Sequence, residues 1–171
     1  MLTSDKRLFI AAAEDPAKLT ADGRELCLEA RMGNRHGLIT GATGTGKTYL
    51  ACALGMAANR NYYEVKYIRL PDLLVEIAMA RATNTYQDLM KRYKKVPLLI
   101  LDEWLLYSLK ETEARDLLEL VEARNKVSST IFCSQFDVPG WHENLYDPTL
   151  ADAICDRIVY DSYIIRIEGD T

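Results

Sequence analysis

The 171-residue sequence lacks three features that would each have pointed to a particular class of protein. Its uninterrupted apolar runs, such as residues 96–101, are far shorter than the roughly 20 residues that a membrane-spanning helix needs. It has no excess of positive charge, since its formal net charge is -4. An overall basic composition would have indicated a nucleic-acid-binding protein, although a local basic patch remains open. Its four cysteines form no C-x-x-C pair and its two histidines are isolated, so we expect free thiols and no zinc site.

The N-terminal region also lacks a typical signal peptide. The apolar stretch "LFIAAA" is short, and Glu14 and Asp15 follow it at once. We therefore expect a cytoplasmic protein with no membrane partner. The chain length suits one domain with a single hydrophobic core.

From residue 36 onward, short apolar stretches alternate with segments that carry apolar residues at helical spacing. The expected strands are 36–40, 64–70, 97–104, 129–136 and 163–169. The expected helices are 47–60, one that starts at Pro71, one around 86–93, 111–127, and one that Asp147 caps and that runs from Pro148 to about Val159. This alternation predicts an α/β fold with a mostly parallel five-stranded sheet, in which ligands bind at the carboxyl ends of the strands. Residues 31–171 form the expected core, and residues 1–30 a leader in which "GRELCLEARM" could form a short helix.

The stretch "GATGTGKT" matches the phosphate-binding pattern G-x-x-x-x-G-K-[ST]. It follows an expected strand and opens an expected helix, which is the context that this motif requires. Glycines let backbone N–H groups approach phosphates, Lys47 supplies a positive charge, and the Thr48 hydroxyl can ligate Mg²⁺. The expected ATP-binding residues are Gly41, Ala42, Thr43, Gly44, Thr45, Gly46, Lys47, Thr48 and Tyr49. A dinucleotide-binding fingerprint fits less well, because Tyr49 stands where that pattern needs a small residue.

The buried strand "LLILDEW" ends in two acidic residues. An aspartate at such a strand end faces the phosphate loop, so Asp102 together with Thr48 is the expected Mg²⁺ site. The neighbouring Glu103 can orient and deprotonate the attacking water, which favours a hydrolysing ATPase over a protein that only holds nucleotide. The alternative is a pair of solvated acids at a strand end.

Several stretches together resemble the IstB-like family of AAA+ ATPases, which assist a transposase and are close to the bacterial replicative helicase loaders. These stretches are "GATGTGKTYLACALG", "YIRLPDLL", "LLILDEWLL", "STIFCSQF", "GWHE" and "DPTLADAICDRIV". The resemblance covers roughly residues 36–169 and implies a P-loop three-layer sandwich of the AAA+ type. Members of the family usually carry an N-terminal helical domain, and related ATPases a C-terminal helical lid. We expect neither in this chain, because Gly41 comes early and the last strand lies near the end.

The resemblance also implies roles for two polar side chains. The strand "TIFCSQF" matches the sensor strand, whose polar tip touches the γ-phosphate or the lytic water, and we assign that tip to Gln135, with Ser134 as second choice. Arg157 matches the arginine finger, which completes the nucleotide site of a neighbouring subunit. Without the resemblance, Arg157 would be read as a solvated charge on an amphipathic helix, and Gln135 as an exposed strand end.

One local cluster of basic residues offers a weak indication of DNA binding. Its members are Arg81, Lys91, Arg92, Lys94 and Lys95. Such a cluster can contact DNA phosphates without reading bases. It can equally be a solvated helix end whose cations complement the helix dipole.

These observations lead to one main hypothesis and three alternatives. The main hypothesis is a Mg²⁺-dependent ATPase that self-associates through its nucleotide sites, assembles on duplex DNA and assists a transposase. A loader of the replicative helicase would use nearly the same machinery. A small-molecule P-loop kinase would need an arginine-rich lid, which the sequence does not indicate. A binding module without hydrolysis would leave Glu103 without a role.

Overall fold

The computed structural model describes residues 7–11, 26–29, 36–160 and 162–167. In chain order the elements are β1 (Arg7–Ala11), β2 (Leu26–Glu29), β3 (Gly37–Gly41), α1 (Lys47–Arg60), β4 (Val65–Arg69), α2 (Leu70–Ala82), α3 (Tyr86–Lys95), β5 (Leu98–Trp104), α4 (Glu111–Arg124), β6 (Ser129–Ser134), α5 (Val138–His142), α6 (Pro148–Val159) and β7 (Tyr163–Ile167). None of the helices in these residues has the length and apolar character that crossing a bilayer requires.

The main sheet has five strands in the order β4-β5-β6-β3-β7. Each neighbouring pair is parallel, so all five carboxyl ends meet at one edge of the sheet. The strand that precedes the phosphate loop, β3, lies in the interior beside β6 rather than beside the next strand in sequence. The acidic strand β5 is the far neighbour of β6. This order brings the ends of β3, β5 and β6 together, as the predicted α/β fold requires.

Helices cover both faces of this sheet and give a three-layer sandwich. On one face, α1 packs through Ala51 and Leu54 against Ile39, Ile100 and Ile131. The opposite face carries the larger core, to which α2, α3, α4, α5 and α6 all contribute. The alternation along β5 assigns its side chains to these two cores, because Ile100 belongs to the first and Leu99 and Leu101 to the second. The same alternation directs Asp102 towards α1 and the loop before it.

The buried side chain of Arg124 links the end of α4 to the end of α3 and to the start of β6. Arg124, only 1% exposed at the end of α4, donates to the carbonyl oxygens of Tyr93, Val96 and Ser129 and to the Thr130 hydroxyl. Burial lowers the pKa of its guanidinium to about 10. These acceptors, rather than a carboxylate, satisfy the buried cation, and they tie α3 and β6 to α4.

The structure confirms the expected strands and helices between residues 36 and 167, with ends that differ by up to about three residues, and it corrects two further details. Residues 168 and 169 of the last expected strand lie outside the described residues. Residues 26–29 form strand β2, antiparallel to β1, instead of belonging to a short helix. Leucine and glutamate are good helix formers, but intrinsic propensity is a small term, and here pairing with β1 overrides it. The short helix α5 was not expected. Asp137 caps this helix by accepting from the Gly140 N–H. A helix of five residues is too short to produce a recognisable periodic pattern of apolar residues.

Candidate nucleotide-binding site

The phosphate loop joins β3 to α1 and depends on glycine at two positions. A Cβ atom at Gly41 would lie 2.4 Å from the Ile167 carbonyl oxygen of β7, so a side chain there would push the loop off the sheet. Gly46 has φ 85° and begins α1 without a side-chain cap. The N–H groups of the first helical turn therefore face the loop, where they and the helix dipole form an anion site.

The Lys47 side chain lies across this loop. It is 9% exposed, and its ammonium group donates to the carbonyl oxygens of Gly41 at 2.7 Å and Ala42 at 2.5 Å. Burial lowers the pKa of Lys47, and the negative charge of Asp102 opposes that effect. A compact cation, largely buried beside an anion site, suits contact with phosphate oxygens.

The expected metal ligands are brought together. The Thr48 hydroxyl donates to Asp102 Oδ2 at 2.7 Å, and the Tyr67 hydroxyl of β4 donates to the same oxygen at 2.8 Å. The other carboxylate oxygen, Oδ1, accepts from the Glu103 N–H at 2.8 Å. Burial and the Asp102 carboxylate together raise the pKa of Tyr67, so this phenol remains a donor. A hydroxyl and a carboxylate side by side are the oxygen ligands that Mg²⁺ prefers, so the residues fit the ion.

Glu103 occupies an irregular stretch of β5. The pairing of β5 with β6 shifts between Leu101 and Trp104, which leaves Asp102 and Glu103 outside the regular ladder. Glu103 has φ 53°, a left-handed conformation that is uncommon for a residue with a side chain. Its carboxylate lies 3.6 Å from the guanidinium of Arg69, which also binds Asp72 at the start of α2. The backbone thus departs from β geometry at the residue expected to act as the base.

The end of β6 separates the two candidates for the sensor role. Gln135 lies at the loop, where its Oε1 accepts from the Thr43 hydroxyl at 2.9 Å. Ser134 is fully buried and its hydroxyl bonds to Trp104, Phe136 and Trp141. The geometry is consistent with Gln135 rather than Ser134, because Gln135 contacts the phosphate loop whereas the Ser134 hydroxyl is buried and bonded elsewhere.

Arg157 lies away from the phosphate loop of its own chain. Helix α6 returns from the end of β6 to the start of β7, and Arg157 lies about 14 Å along it. The amino edge of the sheet is near the end of α6, where the Tyr163 N–H donates to the His36 carbonyl. Arg157 itself donates to the Ala153 carbonyl at 2.7 Å and forms an ion pair with Glu122 at 3.0 Å. It is not brought to the other site residues within this chain.

The basic cluster divides into paired and exposed members. Arg81 forms an ion pair with Asp116 and stacks on the Tyr86 ring, and Lys94 lies 2.7 Å from Glu119. These contacts join α2 and α3 to α4. The remaining members are exposed, and none has an ion pair within the described part of the chain: Lys91, Arg92 and Lys95.

Two site residues were missed by the sequence analysis. Tyr67 reaches Asp102 from β4, and Arg69 reaches Glu103 from the end of the same strand. In the register between β4 and β5, Arg69 is opposite Asp102. Only the pairing of these two strands reveals the contact. The single available signal is the alternation of β4, which places Tyr67 and Arg69 on one face.

The fold and this loop define the chain as a P-loop protein of the AAA+ type. The sequence model of the family described as IstB-like ATP binding protein matches residues 17–171, and the chain belongs to that family. An insertion-sequence ATP-binding protein of Sinorhizobium fredii, y4pL, is 44% identical over 133 residues, which are 78% of this chain and 54% of that protein. The corresponding protein of the Bacillus thuringiensis insertion sequence IS232 is 32% identical over 77% of this chain and 52% of its own length. The chain therefore spans about half the length of these curated relatives.

Solved structures with the same fold include proteins of DNA replication. The structure of DnaI matches 79% of this chain and 71% of its own with a TM-score of 0.66 and 26% identity. Domain III of the Thermotoga maritima replication initiation protein DnaA matches 80% of this chain and 55% of its own, with a TM-score of 0.68 and 19% identity. AMPPCP-bound DnaA from Aquifex aeolicus matches 80% of this chain and 41% of its own, with a TM-score of 0.66 and 24% identity. The likeness to both DnaA structures concerns the fold alone.

Proposed function

We propose that this chain is the ATPase core of an insertion-sequence helper protein, which hydrolyses ATP with Mg²⁺, self-associates through its nucleotide sites on duplex DNA and assists a transposase. The observation that carries the proposal is the contact between Thr48 and Asp102. It joins a phosphate loop to an acidic strand end, with Glu103 beside it. The family to which the chain belongs supports ATP binding.

Each residue of the site has a separate task in this reaction. The N–H groups at the start of α1 and the Lys47 ammonium would bind the phosphates. Thr48 and Asp102 would hold Mg²⁺, which neutralises charge on the outer phosphates when it is bound. Glu103 would orient the attacking water and accept its proton, which requires its carboxylate to be available to that water rather than fully engaged by Arg69. The Gln135 side chain already contacts Thr43 of the phosphate loop. Its amide N–H groups would donate to the γ-phosphate or to the attacking water.

The location of Arg157 supports self-association. A guanidinium that stabilises charge on the γ-phosphate must come from a neighbouring chain if its own chain holds it at the opposite edge of the sheet. The Arg157 side chain is 30% exposed, and Glu122, its ion-pair partner among the described residues, is 61% exposed, which leaves Arg157 accessible to a neighbour. Hydrolysis would therefore depend on assembly.

The DNA and protein partners are the remaining part of the proposal. Lys91, Arg92 and Lys95 form an exposed basic surface on α3 that suits phosphate contacts without base recognition. Insertion-sequence relatives support a transposase as the protein partner. A replicative helicase is the second candidate, because DnaI shares the fold at 26% identity. Pull-down with a transposase of the same kind of element and with a replicative helicase distinguishes the two.

The test is the rate of ATP hydrolysis over a range of protein concentrations, with and without duplex DNA, for the natural chain and Arg157→Ala. The proposal expects turnover per chain to rise with concentration and with DNA, and to fall in the variant. Turnover that is independent of concentration, DNA and Arg157 would contradict a shared site. That result would indicate an ATPase whose nucleotide site is complete within one chain.

A further inference from the structure

The buried Ser134 hydroxyl joins three segments behind the nucleotide site. Ser134 is 0% exposed at the end of β6. Its Oγ donates to the Trp104 carbonyl at 3.1 Å and accepts from the Phe136 N–H at 3.1 Å and from Trp141 Nε1 at 3.0 Å. A hydroxyl offers one donor and two acceptor positions, so these three partners use its whole capacity. A buried polar group satisfied in this way fixes the relative placement of its partners.

Two of these partners are backbone groups adjacent to residues of the proposed site. Trp104 directly follows Glu103, and the bond to Trp104 is formed where the pairing of β5 with β6 resumes after its irregularity. Glu103 is held between that point and its own N–H bond to Asp102. Since Glu103 has the left-handed φ of 53°, its backbone would relax towards β geometry without restraint on both sides.

The bond from Phe136 acts in the same way on Gln135. It closes a tight turn from Ser134 to Phe136, with Gln135 between them. That turn directs the Gln135 side chain to Thr43 in the phosphate loop, at 2.9 Å. Ser134 thus restrains the strand ends that carry Glu103 and Gln135 against each other.

The third partner connects this junction to the helices on the far face of the sheet. Trp141 of α5 also donates to the Phe136 carbonyl at 3.3 Å, and its ring lies 5.8 Å from that of Trp104. Trp104 in turn contacts the Phe132 ring at 4.7 Å. The indole N–H of Trp141 therefore reports on both strand ends at once.

We propose that Ser134 is a positioning residue for hydrolysis, which aligns Glu103 with Gln135 through its bonds to Trp104, Phe136 and Trp141. The inference rests on the proposed ATPase function. It assigns to Ser134 no contact with ATP, because the hydroxyl is buried and fully bonded. Loss of the hydroxyl should lower the rate of the chemical step and leave nucleotide binding nearly unchanged.

The first experiment compares Ser134→Ala with the natural chain in ATP hydrolysis and in ATP affinity. We expect turnover to fall about tenfold or more, the range for a misplaced catalytic group, while the Kd for ATP changes less than about threefold. Thr130→Val is the matched control. Thr130 is also buried on β6, but its hydroxyl bonds to Arg124. This variant should lose stability and keep its turnover. Ser134→Thr, which retains the hydroxyl, should recover part of the rate.

The second experiment does not depend on turnover. The chain has two tryptophans, so the Trp141 indole N–H resonance can be assigned in an NMR spectrum by comparison with Trp141→Phe. We expect this resonance to shift between the complexes with ADP and with AMPPCP, and the difference to vanish in Ser134→Ala.

Two results would overturn the inference. One is Ser134→Ala with the turnover of the natural chain, and the other is an indole resonance that does not distinguish the two nucleotides in the natural chain. Absence of any turnover in the natural chain, at every protein and DNA concentration, contradicts the proposed function, and a role of Ser134 in hydrolysis fails with it. The indole experiment then decides only whether Ser134 couples the bound nucleotide to Trp141.

Discussion

Thr48 and Asp102 are 54 residues apart in sequence, yet the threonine hydroxyl donates to the aspartate carboxylate at 2.7 Å. Their contact depends on strand order, because only β6 lies between β5 and β3, the strand that leads into the phosphate loop. The Tyr67 hydroxyl of β4 donates to the same carboxylate oxygen. The proposed metal ligands are thus held in place by the sheet as well as by the loop.

Asp102→Asn should abolish the gain in ATP affinity that Mg²⁺ provides. The amide keeps the shape of the side chain but removes the charge that a divalent cation needs, and it alters the bonds from Thr48 and Tyr67. We expect Mg²⁺ to improve the Kd for ATP by about tenfold or more in the natural chain and little in the variant. Calorimetry with and without Mg²⁺ measures this. Asp88→Asn, at an exposed site in α3, is the control, and an unchanged Mg²⁺ effect in Asp102→Asn would argue against this metal site.

Glu103→Gln should separate binding from hydrolysis. Glutamine retains the size of the side chain but cannot accept a proton from water, so turnover should fall about 100-fold or more. ATP affinity should stay within about threefold, since the proposed role of Glu103 concerns the water and not the nucleotide. Steady-state hydrolysis and equilibrium binding provide the two numbers. Glu143→Gln, the control, removes an exposed carboxylate outside the site and should change neither turnover nor ATP affinity. Retained turnover in Glu103→Gln would assign the base to another residue.

The strand–loop–helix arrangement around Lys47 and the strand end at Asp102 were predictable because their signals are local. The glycines, Lys47 and Thr48 lie within eight residues, and Asp102 follows an apolar strand of recognisable pattern. Tyr67, Arg69 and the bonds of Ser134 were not predictable, since each depends on which strands are neighbours and on the register between them. The prediction for residues 26–29 was wrong for a related reason, because the pairing with β1 is not visible in the sequence of β2 itself.

Arg124→Met should destabilise the fold without touching the site. Methionine fills similar volume but leaves the carbonyl groups of Tyr93, Val96 and Ser129 buried without donors. We expect a loss of about 3 kcal/mol or more in the free energy of unfolding. For a chain of this size the melting temperature should fall by about 6–12 °C. Thermal unfolding followed by circular dichroism measures the shift. Arg124→Lys keeps a donor and the charge but not the planar guanidinium, so its melting temperature should lie between those of the natural chain and Arg124→Met. An unchanged melting temperature in Arg124→Met would contradict the role given to Arg124.

Reversing charge on α3 tests the DNA surface. Lys91→Glu with Lys95→Glu should weaken binding to duplex DNA and lower the slope of log affinity against log salt by about 2. The double variant Arg60→Glu with Lys126→Glu makes the same change in net charge at exposed positions outside the cluster, and it should have the smaller effect. Fluorescence anisotropy at several salt concentrations gives both slopes. Equal slopes for the two double variants would remove α3 from the DNA contact.

The central claim is that each nucleotide site is completed by Arg157 of a neighbouring chain, and mixing two inactive variants tests it most directly. Arg157→Ala keeps an intact phosphate loop, Asp102 and Glu103 but lacks the guanidinium, whereas Glu103→Gln keeps Arg157 but lacks the base. ATP hydrolysis is measured for each variant alone and for an equimolar mixture at the same total concentration, with duplex DNA present. The account predicts that the mixture exceeds the average of the two separate rates, because a site of the first variant can receive Arg157 from the second. A mixture that only reproduces that average, with each variant folded and able to bind ATP, would contradict a site shared between chains.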